Sequence, residues 1–420
     1  MKILLLFIAS LLPYLIFSQT VRRVLFLGNS YTFVNDLPQL TANFSQAAGD
    51  SLIFDSNTPG GYSLQQHSVN QTTLTKIALG NWDFVVLQEQ SQMPSFPLSQ
   101  VLVEVFPYAK KLDSLIKAAN PCTQTIFFMT WGRKNGDSYN CSSWPPVCTY
   151  LGMDSLLNLR YRIMADSNSA FVALVGATWH YLRDNYPSIE LYDTDQSHPS
   201  AAGSYAAATT FYSIIFQKNP QLVHYDYSLN NANAQIIRNA AKLIAFDSLS
   251  KWNVGKYIPQ SNFNYNVSND TVYFNNSSIY ASNYLWNFGD GDTSTAISPM
   301  HVYSTNALFK VKLISKKCGL MDSISKSINI VNSSIRENAN SNFFTLYPNP
   351  TKDFFVIKSN KIIYKDDIEI TIFDNMGREI YHNEAYKVEE RIFTKEFLKG
   401  NYFVIIKSKS TIYHTRISVI

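Results

Sequence analysis

Polar clusters that follow apolar runs in the first half of the chain hold groups that acyl-transfer chemistry requires. Ser30 comes directly after an apolar run and a Gly-Asn pair, and Asp195 and His198 lie together in a later segment, ELYDTDQSHPSAAG. A serine hydroxyl needs a base within hydrogen-bond reach to become a nucleophile. Histidine titrates near neutrality, and an acid three residues earlier can turn back to orient its imidazole. We therefore expect Ser30 as nucleophile, His198 as base and Asp195 as its orienting acid.

Two further clusters supply groups that could stabilise an oxyanion. Gly60 and Gly61 follow the second apolar run, and two adjacent glycines let a backbone N–H approach a developing negative charge closely. Gln90, in LQEQS after the third run, offers a side-chain amide as a second donor.

Each cluster taken alone also fits a structural interpretation. Ser30 suits the N-cap of a following helix, and Gly60-Gly61 suits a turn. Gln90 suits an exposed surface, and Asp195-x-x-His198-Pro199 suits a loop that leads into a helix. The catalytic interpretation depends on all the clusters meeting at one place.

The elements between these clusters predict that meeting place. Five apolar runs (VRRVLFLG, SLIFDSN, DFVVLQ, TQTIFFMTW and SAFVALVGATW) are typical of strands covered on both faces. Helical patterns lie between them (LPQLTANFSQAAG, SVNQTTLTKIALG and SQVLVEVFPYAKKLDSLIKAA), and NNANAQIIRNAAKLIAFDSLSKW predicts a closing helix. Alternation of strands and helices predicts an α/β domain with a parallel sheet and helices on both faces. Ligands of such sheets bind beyond the carboxyl ends of the strands, where the polar clusters lie.

Other residues of this region are weaker candidates. Trp131, after the fourth strand, could stack on a sugar ring in a substrate pocket or could be a core residue, and Glu89 could be a charged pocket residue or a solvated acid at a helix start. His67, His180 and Asp193 lack the spacing of known metal-ligand sets. We therefore expect no metal and no cofactor.

The chain carries the marks of an exported protein. MKILLLFIASLLPYLIFSQT has a lysine followed by an apolar stretch too short to span a membrane, which predicts a cleaved signal peptide over residues 1–18. No later segment is apolar enough to span a membrane, so we expect no span in the mature chain. The net charge of +4 is too small and dispersed to favour nucleic acid.

Four cysteines can form disulfides in an exported protein. Cys141 and Cys148 lie close together in YNCSSWPPVCTY and could clip that loop. Cys122 and Cys318 fall in different predicted domains, and we expect both to be unpaired.

The ordered set of motifs resembles the SGNH (GDSL-type) serine hydrolases over about residues 21–250. GNSYT, GGYSL and DFVVLQEQS resemble, more narrowly, a branch found in secreted bacterial proteins. The resemblance implies a flavodoxin-like sheet, the roles given above for Ser30, His198 and Asp195, and an oxyanion hole lined by the backbone N–H groups of Ser30 and Gly61. Where the family usually has Asn in Gly-x-Asn-Asp, Gln90 aligns with that Asn, and Gln88 is the fallback donor.

Two C-terminal regions show resemblances of their own. WNFGDGDTS followed by HVYSTNALFKVKLIS resembles the PKD domain, an Ig-like β-sandwich, over about residues 262–332. Its acidic pair Asp290 and Asp292 suggests either Ca²⁺ or a tight turn, and the turn is the favoured interpretation. After a linker over residues 333–342, YPNPTKDFFVIKS opens a small β domain (343–420) that resembles the C-terminal sorting domain of type IX secretion.

Together these observations predict a secreted or cell-surface serine esterase with its hydrolase domain at residues 20–252. The expected substrates are acyl esters, acetylated polysaccharide above all, and the expected partner for export is the type IX secretion machinery. The alternative is a non-catalytic glycan-binding or adhesion protein that keeps the hydrolase fold. The glutamines of LQEQS keep that alternative open, and the reactivity of Ser30 would decide between the two.

Overall fold

The computed structural model describes residues 19–331, 344–359, 368–385, 389–408 and 411–420. The predicted signal peptide and the predicted linker lie outside these residues. The described residues divide into two compact units. The first runs to Asn266 and also includes Tyr273–His301 and Phe309–Ile328; the second comprises Val267–Val272, Val302–Leu308 and the part from Asn329 onward.

A parallel sheet forms the centre of the first domain, as the sequence predicts. Its strand order is β2-β1-β3-β4-β5, which is the flavodoxin-like order. The first connection runs to one side of β1 and the next crosses back, so the strand order reverses between β1 and β3. The strands are β1 Val21–Leu27, β2 Ser51–Asn57, β3 Phe84–Leu87, β4 Gln124–Phe128 and β5 Phe171–Ala173.

Helices cover both faces of this sheet because right-handed crossovers in opposite directions place them on opposite sides. One group comprises α2, α8, α9 and α10, and the other comprises α3 to α7. Helix α9 is buried almost all round, and its sequence AAGSYAAATTFYSIIF accordingly contains no charged residue. The helices are α1 Ser30–Phe33, α2 Leu37–Ala47, α3 Leu64–His67, α4 Gln71–Ala78, α5 Leu98–Glu104, α6 Phe106–Ala119, α7 Tyr150–Ser167, α8 Val175–Asn185, α9 Ala201–Phe216 and α10 Asn231–Ile244.

Two elements differ from the sequence-based expectation. The run SAFVALVGATW is not one strand, because β5 ends at Ala173 and α8 begins at Val175. The predicted helix over SQVLVEVFPYAKKLDSLIKAA breaks at Val105, and α6 starts with Pro107 in its first turn. Proline has no N–H to donate and is tolerated only at a helix start, so the break falls there.

The sandwich region that follows consists of two sheets, with strand orders β10-β7-β6 and β12-β11-β8-β9. Trp286 is fully buried against the rings of Phe263 and Phe274. The strands are β6 Phe263–Ser268, β7 Thr271–Asn276, β8 Asn283–Asn287, β9 Thr293–Ser294, β10 Met300–Val302, β11 Leu308–Lys317 and β12 Leu320–Asn329.

The last region also has two sheets, with strand orders β13-β14-β17 and β16-β15-β18-β19. Its strands pair antiparallel around a core of aliphatic and aromatic side chains. They are β13 Phe344–Tyr347, β14 Phe354–Ser359, β15 Ile368–Phe373, β16 Glu379–Ala385, β17 Glu389–Phe393, β18 Gly400–Ser408 and β19 Thr411–Val419. The fold class expected from the sequence is thereby confirmed.

All four cysteines are paired. Cys141 and Cys148 form the short-range disulfide. The expectation that Cys122 and Cys318 are unpaired is wrong, because the two form a disulfide across a sequence separation of 196. Cys122 lies in the turn before β4 and Cys318 in the turn between β11 and β12, and nothing local in the sequence signals that these turns meet.

In the described part of the chain, no helix combines the length and the apolar character needed to cross a bilayer.

Candidate active site

The backbone after β1 places Ser30 at the start of a helix. Asn29 caps α1 by accepting the backbone N–H of Tyr31 at 3.1 Å, and Ser30 is the first helical residue. Gly28 has to be glycine here, since a Cβ would come within 2.6 Å of Gln88 Oε1 and of Thr32 Oγ1. Ser30 is thus an N-terminal helix residue, and its hydroxyl is also placed for chemistry.

Ser30, His198 and Asp195 form a connected triad. His198 Nε2 lies 2.8 Å from Ser30 Oγ, and His198 Nδ1 contacts Asp195 Oδ2. A carboxylate that accepts from Nδ1 leaves Nε2 free to accept the serine proton. The structure brings together three residues that the sequence analysis selected from segments 168 residues apart.

The histidine loop, residues 193–199, is built around the carboxylate of Asp195. Its second oxygen accepts the backbone N–H groups of Ser197 at 3.0 Å and His198 at 2.9 Å. Burial acts to raise the pKa of Asp195, but the hydrogen bonds from the His198 ring and from these backbone groups outweigh it, so the pKa lies below its ordinary value. Asp195 is therefore ionised at neutral pH and lies against the His198 imidazole as a carboxylate.

Gln88 connects the loops that follow β1 and β3, at the point where the strand order reverses. Its Oε1 accepts from Asn29 N and from Thr32 Oγ1, each at 2.9 Å. Its Nε2 donates to Asn29 Oδ1 at 2.8 Å and to the carbonyl of Glu89 at 2.6 Å. Both amide protons are thus used in a fully buried position. The structure does not support Gln88 as the fallback oxyanion donor, because it has no N–H left to offer.

Gln90 and Gly61 keep capacity for a ligand. Gln90 Oε1 accepts the backbone N–H groups of Gln92 and Met93, which closes a turn, and its Nε2 donates to Gln92 Oε1 at 3.0 Å. The structure shows no acceptor for the second amide proton among the described residues. Gly61 is exposed and has φ +70, a left-handed conformation that favours glycine.

Glu89 is neither a charged pocket residue nor a solvated acid at a helix start, the two interpretations that the sequence left open. It is fully buried, and its Oε1 accepts the backbone N–H groups of Leu64 at 3.1 Å and Gln90 at 2.6 Å. Burial, partly offset by those two hydrogen bonds, raises the pKa of Glu89 to about 8. Among the described residues its Oε2 has no hydrogen-bond partner. Glu89 is therefore a neutral, structural acid at pH 7 that joins the β3 loop to α3.

Trp131 does not line a pocket either, because its side chain is fully buried. Its ring is stacked between those of Tyr31, with centroids 4.8 Å apart, and Trp179, at 3.8 Å. The indole N–H donates to the carbonyl of Ser197 at 3.0 Å. The core interpretation of Trp131 is the one the structure supports, with a direct contact to the histidine loop.

His67 supports the backbone that leads to Ser30, a role that the sequence did not indicate. It is buried, its Nε2 contacts the carbonyl of Gly28 at 2.9 Å, and its Nδ1 contacts Thr73 Oγ1 at 2.8 Å. Burial lowers the pKa of His67, so the ring is neutral and Nε2 donates to Gly28. Only the position of His67 just after the second polar cluster could have pointed to this role.

Among the described residues, the cluster that could hold a metal ion lies in the sandwich region and not near Ser30. Asp290, Asp292 and His301 hold ligand atoms within 4.8 Å of one another. Asp290 already accepts the backbone N–H of Asp292 at 3.1 Å and contacts His301 at 2.6 Å, as the turn interpretation expects. His180 contacts Asp154 and Asp184 instead of His67 or Asp193.

Comparison with protein families identifies the two C-terminal regions. Residues 261–331 match the model of the PKD domain, and residues 345–420 match that of the secretion system C-terminal sorting domain. Both resemblances noted in the sequence are thereby confirmed.

Individual relatives cover parts of the chain. A segment of 33 residues is 58% identical to collagenase ColQ1 of Bacillus cereus (strain Q1); it makes up 8% of this chain and spans only 3% of that protein. A DUF4886 family protein from Bacteroides uniformis is 16% identical, with a TM-score of 0.46, over 55% of this chain and 95% of its own. A putative SGNH hydrolase from Slackia heliotrinireducens is 28% identical, with a TM-score of 0.38, over 46% of this chain and 97% of its own.

Proposed function

We propose that the first domain, residues 20–252, is a serine esterase that acts through an acyl-serine intermediate. The observation that carries the proposal is the continuous contact from Ser30 Oγ to His198 and on to Asp195. This contact lies beyond the carboxyl ends of the strands of an open α/β sheet, where ligands of such folds bind. The site geometry, and not the fold by itself, supports the activity.

The reaction proceeds in two halves. Ser30 Oγ attacks the ester carbonyl and forms a C–O bond while its proton passes to His198 Nε2. The tetrahedral intermediate collapses, the bond to the alcohol breaks, and His198 returns the proton to the leaving alcohol. Water then attacks the acyl-serine with His198 as base, and Ser30 leaves with the proton as the acid is released.

Backbone groups and one side chain stabilise the oxyanion. The N–H of Ser30, in the first turn of α1, and the N–H of Gly61 are the backbone donors. The second amide proton of Gln90 is the third donor, since Gln88 has none left. Each such donor typically contributes about 10²-fold or more to kcat.

The substrate and the route of export belong to the same proposal. A histidine loop that is largely exposed leaves the triad accessible to a large ester, and an exported enzyme meets polysaccharides outside the cell. We propose acetylated carbohydrate as the substrate class. Export would begin with the signal peptide at residues 1–18 and use the type IX machinery through the C-terminal sorting domain.

Hydrolysis of p-nitrophenyl acetate tests the proposal. The wild-type protein is compared with Ser30→Ala, which removes the nucleophile and leaves the cap and helix in place. We expect measurable turnover in the wild type and a loss of roughly 10⁴-fold or more in the variant. Equal rates for the two proteins would exclude Ser30 as the nucleophile and favour a binding protein with a hydrolase fold.

A further inference from the structure

Ser197, the residue before His198, is held from two sides by aromatic side chains. The hydroxyl of Tyr31 lies 2.6 Å from Ser197 Oγ, and the indole N–H of Trp131 donates to the Ser197 carbonyl at 3.0 Å. Tyr31 directly follows Ser30 in α1, while Trp131 follows β4. Two segments that follow different strands, helix α1 after β1 and the loop after β4, therefore meet on one residue of the histidine loop.

The aromatic groups that hold Ser197 are rigid. Tyr31 and Trp131 are almost completely buried, and their rings are nearly parallel, with an interplanar angle of 4°. Trp179 stacks on the other face of Trp131 at 7°. A buried side chain in a close-packed stack has little freedom to move, so its polar atom is a fixed reference point.

The histidine loop has few core contacts of its own. Residues 193–196 are exposed, Ser197 and His198 are half-buried, and only Pro199 at the end of the loop is buried. Its backbone carbonyls accept two further hydrogen bonds from outside the loop, from the Asn35 side-chain amide to Pro199 at 3.1 Å and from the Lys134 backbone N–H to Gln196 at 3.0 Å. His198 therefore lies between two held residues: Pro199, whose carbonyl accepts from Asn35, and Ser197, which contacts the aromatic stack through both its hydroxyl and its carbonyl.

We propose that Tyr31, Trp131 and Ser197 form a clamp that positions the His198 imidazole on the hydroxyl of Ser30. Tyr31 and Trp131 are positioning residues, and neither contacts the substrate. The Tyr31 ring also lies edge-on to the imidazole, with centroids 5.4 Å apart. Because Tyr31 neighbours Ser30 in the same helix, the clamp keeps nucleophile and base in register with each other. This inference rests on the proposed esterase activity.

The consequence for catalysis is large because proton transfer depends strongly on distance. A displacement of about 1 Å in a catalytic group can cost about 10²-fold in rate. Loss of the Trp131 hydrogen bond frees the Ser197 carbonyl to move, and the imidazole moves with it. Substrate binding is not affected directly, so the change should fall on kcat and leave KM nearly constant.

The test compares Trp131→Phe with Trp82→Phe. Trp82 is a matched control because it is also buried and its indole N–H also donates to a backbone carbonyl, that of Lys76 at 2.8 Å, but before β3 at the opposite edge of the sheet. We expect Trp131→Phe to lower kcat by about 10- to 100-fold with KM changed less than about threefold. Trp82→Phe should keep both constants within about twofold of wild type. Equal kcat values for the two folded variants would overturn the clamp.

A second readout separates the clamp from the proposed function. In ¹⁵N-histidine-labelled protein, the Nδ1 proton of His198, assigned by its loss in His198→Gln, should shift or broaden in Trp131→Phe and stay unchanged in Trp82→Phe. If the wild type hydrolyses no ester, the proposed function fails, and this resonance still tests the clamp. An unchanged resonance in Trp131→Phe would overturn it.

Smaller changes keep the test valid if Trp131→Phe does not fold. Tyr31→Phe and Ser197→Ala each remove one oxygen from the Tyr31–Ser197 contact and leave the ring stack intact. We expect each to lower kcat several-fold without a change in KM, and the double variant to lose little more than either single one, since both remove the same contact. Wild-type kcat in both single variants, with an unaltered His198 resonance, would overturn the role of Tyr31.

Discussion

On one side of Ser30, the hydroxyl contacts His198, the imidazole contacts Asp195, and Asp195 in turn accepts two backbone N–H groups of its own loop. On the other side, where an oxyanion would form, the buried amide of Gln88 is fully used and Gly61 is exposed. We call these the base side and the oxyanion side of Ser30. The groups of the base side are already hydrogen-bonded to one another, whereas the oxyanion side would depend on the exposed Gly61 N–H and on the second amide proton of Gln90. If the proposed mechanism holds, the fold itself orients the proton-transfer groups, whereas charge stabilisation depends on N–H groups that are left for the substrate.

The largest loss of kcat is expected from a substitution on the base side of Ser30. His198→Gln keeps a polar side chain but removes the base, and we expect kcat to fall by roughly 10⁴-fold. His180→Gln is the matched control, since His180, like His198, contacts aspartate side chains, but those of Asp154 and Asp184 outside the triad. Steady-state kinetics of both variants check the prediction. A comparable loss in the two variants would show that the triad has no special role.

Glu89, beneath the oxyanion side, should make stability depend on pH. Its pKa is raised by burial from an ordinary 4.5 to about 8, so the folded protein retains the proton over a range in which the unfolded chain releases it. The stabilising contribution is therefore fully present below about pH 4.5 and is lost as the pH rises through about 8. The loss amounts to at most about 5 kcal/mol by linkage.

Denaturant unfolding of wild type and Glu89→Gln at pH 5, 7 and 9 measures this loss. Glutamine resembles the neutral acid in shape, keeps an oxygen to accept from Leu64 and Gln90, and does not titrate. We expect the wild type to lose stability relative to Glu89→Gln as the pH rises. Parallel curves for the two proteins would mean that Glu89 is ionised in the folded state.

Substitutions of Gln90 and Gln88 should distinguish an amide that donates to the oxyanion from an amide that only stabilises the fold. Gln90→Ala removes both the free N–H and the acceptor that closes the turn, while Gln90→Glu keeps the acceptor and removes the donor. If Gln90 is an oxyanion donor, both variants lose about 10²-fold in kcat. Gln88→Ala should instead lower the free energy of unfolding by about 2–3 kcal/mol, because it leaves the buried N–H of Asn29 unpaired.

Steady-state kinetics and chemical unfolding of the three variants measure kcat and the free energy of unfolding, which distinguish the two roles. A loss of activity in Gln90→Ala but not in Gln90→Glu would assign Gln90 to the turn alone. A stable Gln88→Ala with low kcat would return the donor role to that residue.

The sequence predicted the triad and the sheet because their signals are local. Ser30, Asp195 and His198 lie in short polar segments next to strands or helix starts, and a parallel sheet has to bring such segments to one edge. The roles of Trp131, Glu89 and Gln88 were not predictable in this way. Each lies in the same kind of segment, but elements distant in the sequence bury its side chain, which then hydrogen-bonds to the backbone of a neighbouring segment. The Cys122–Cys318 pairing escaped prediction for the same reason, since it depends on two turns from separate domains.

Whether Ser30 is an activated nucleophile is tested most directly by covalent labelling with a fluorophosphonate probe. The adduct is then mapped by mass spectrometry. Such a probe reacts with a serine only when a base has activated it. We expect an adduct on Ser30 in the wild-type protein and a labelling rate at least about 10²-fold lower in His198→Gln. An unmodified Ser30, at a probe concentration and time that fully label a known serine esterase, would contradict this expectation.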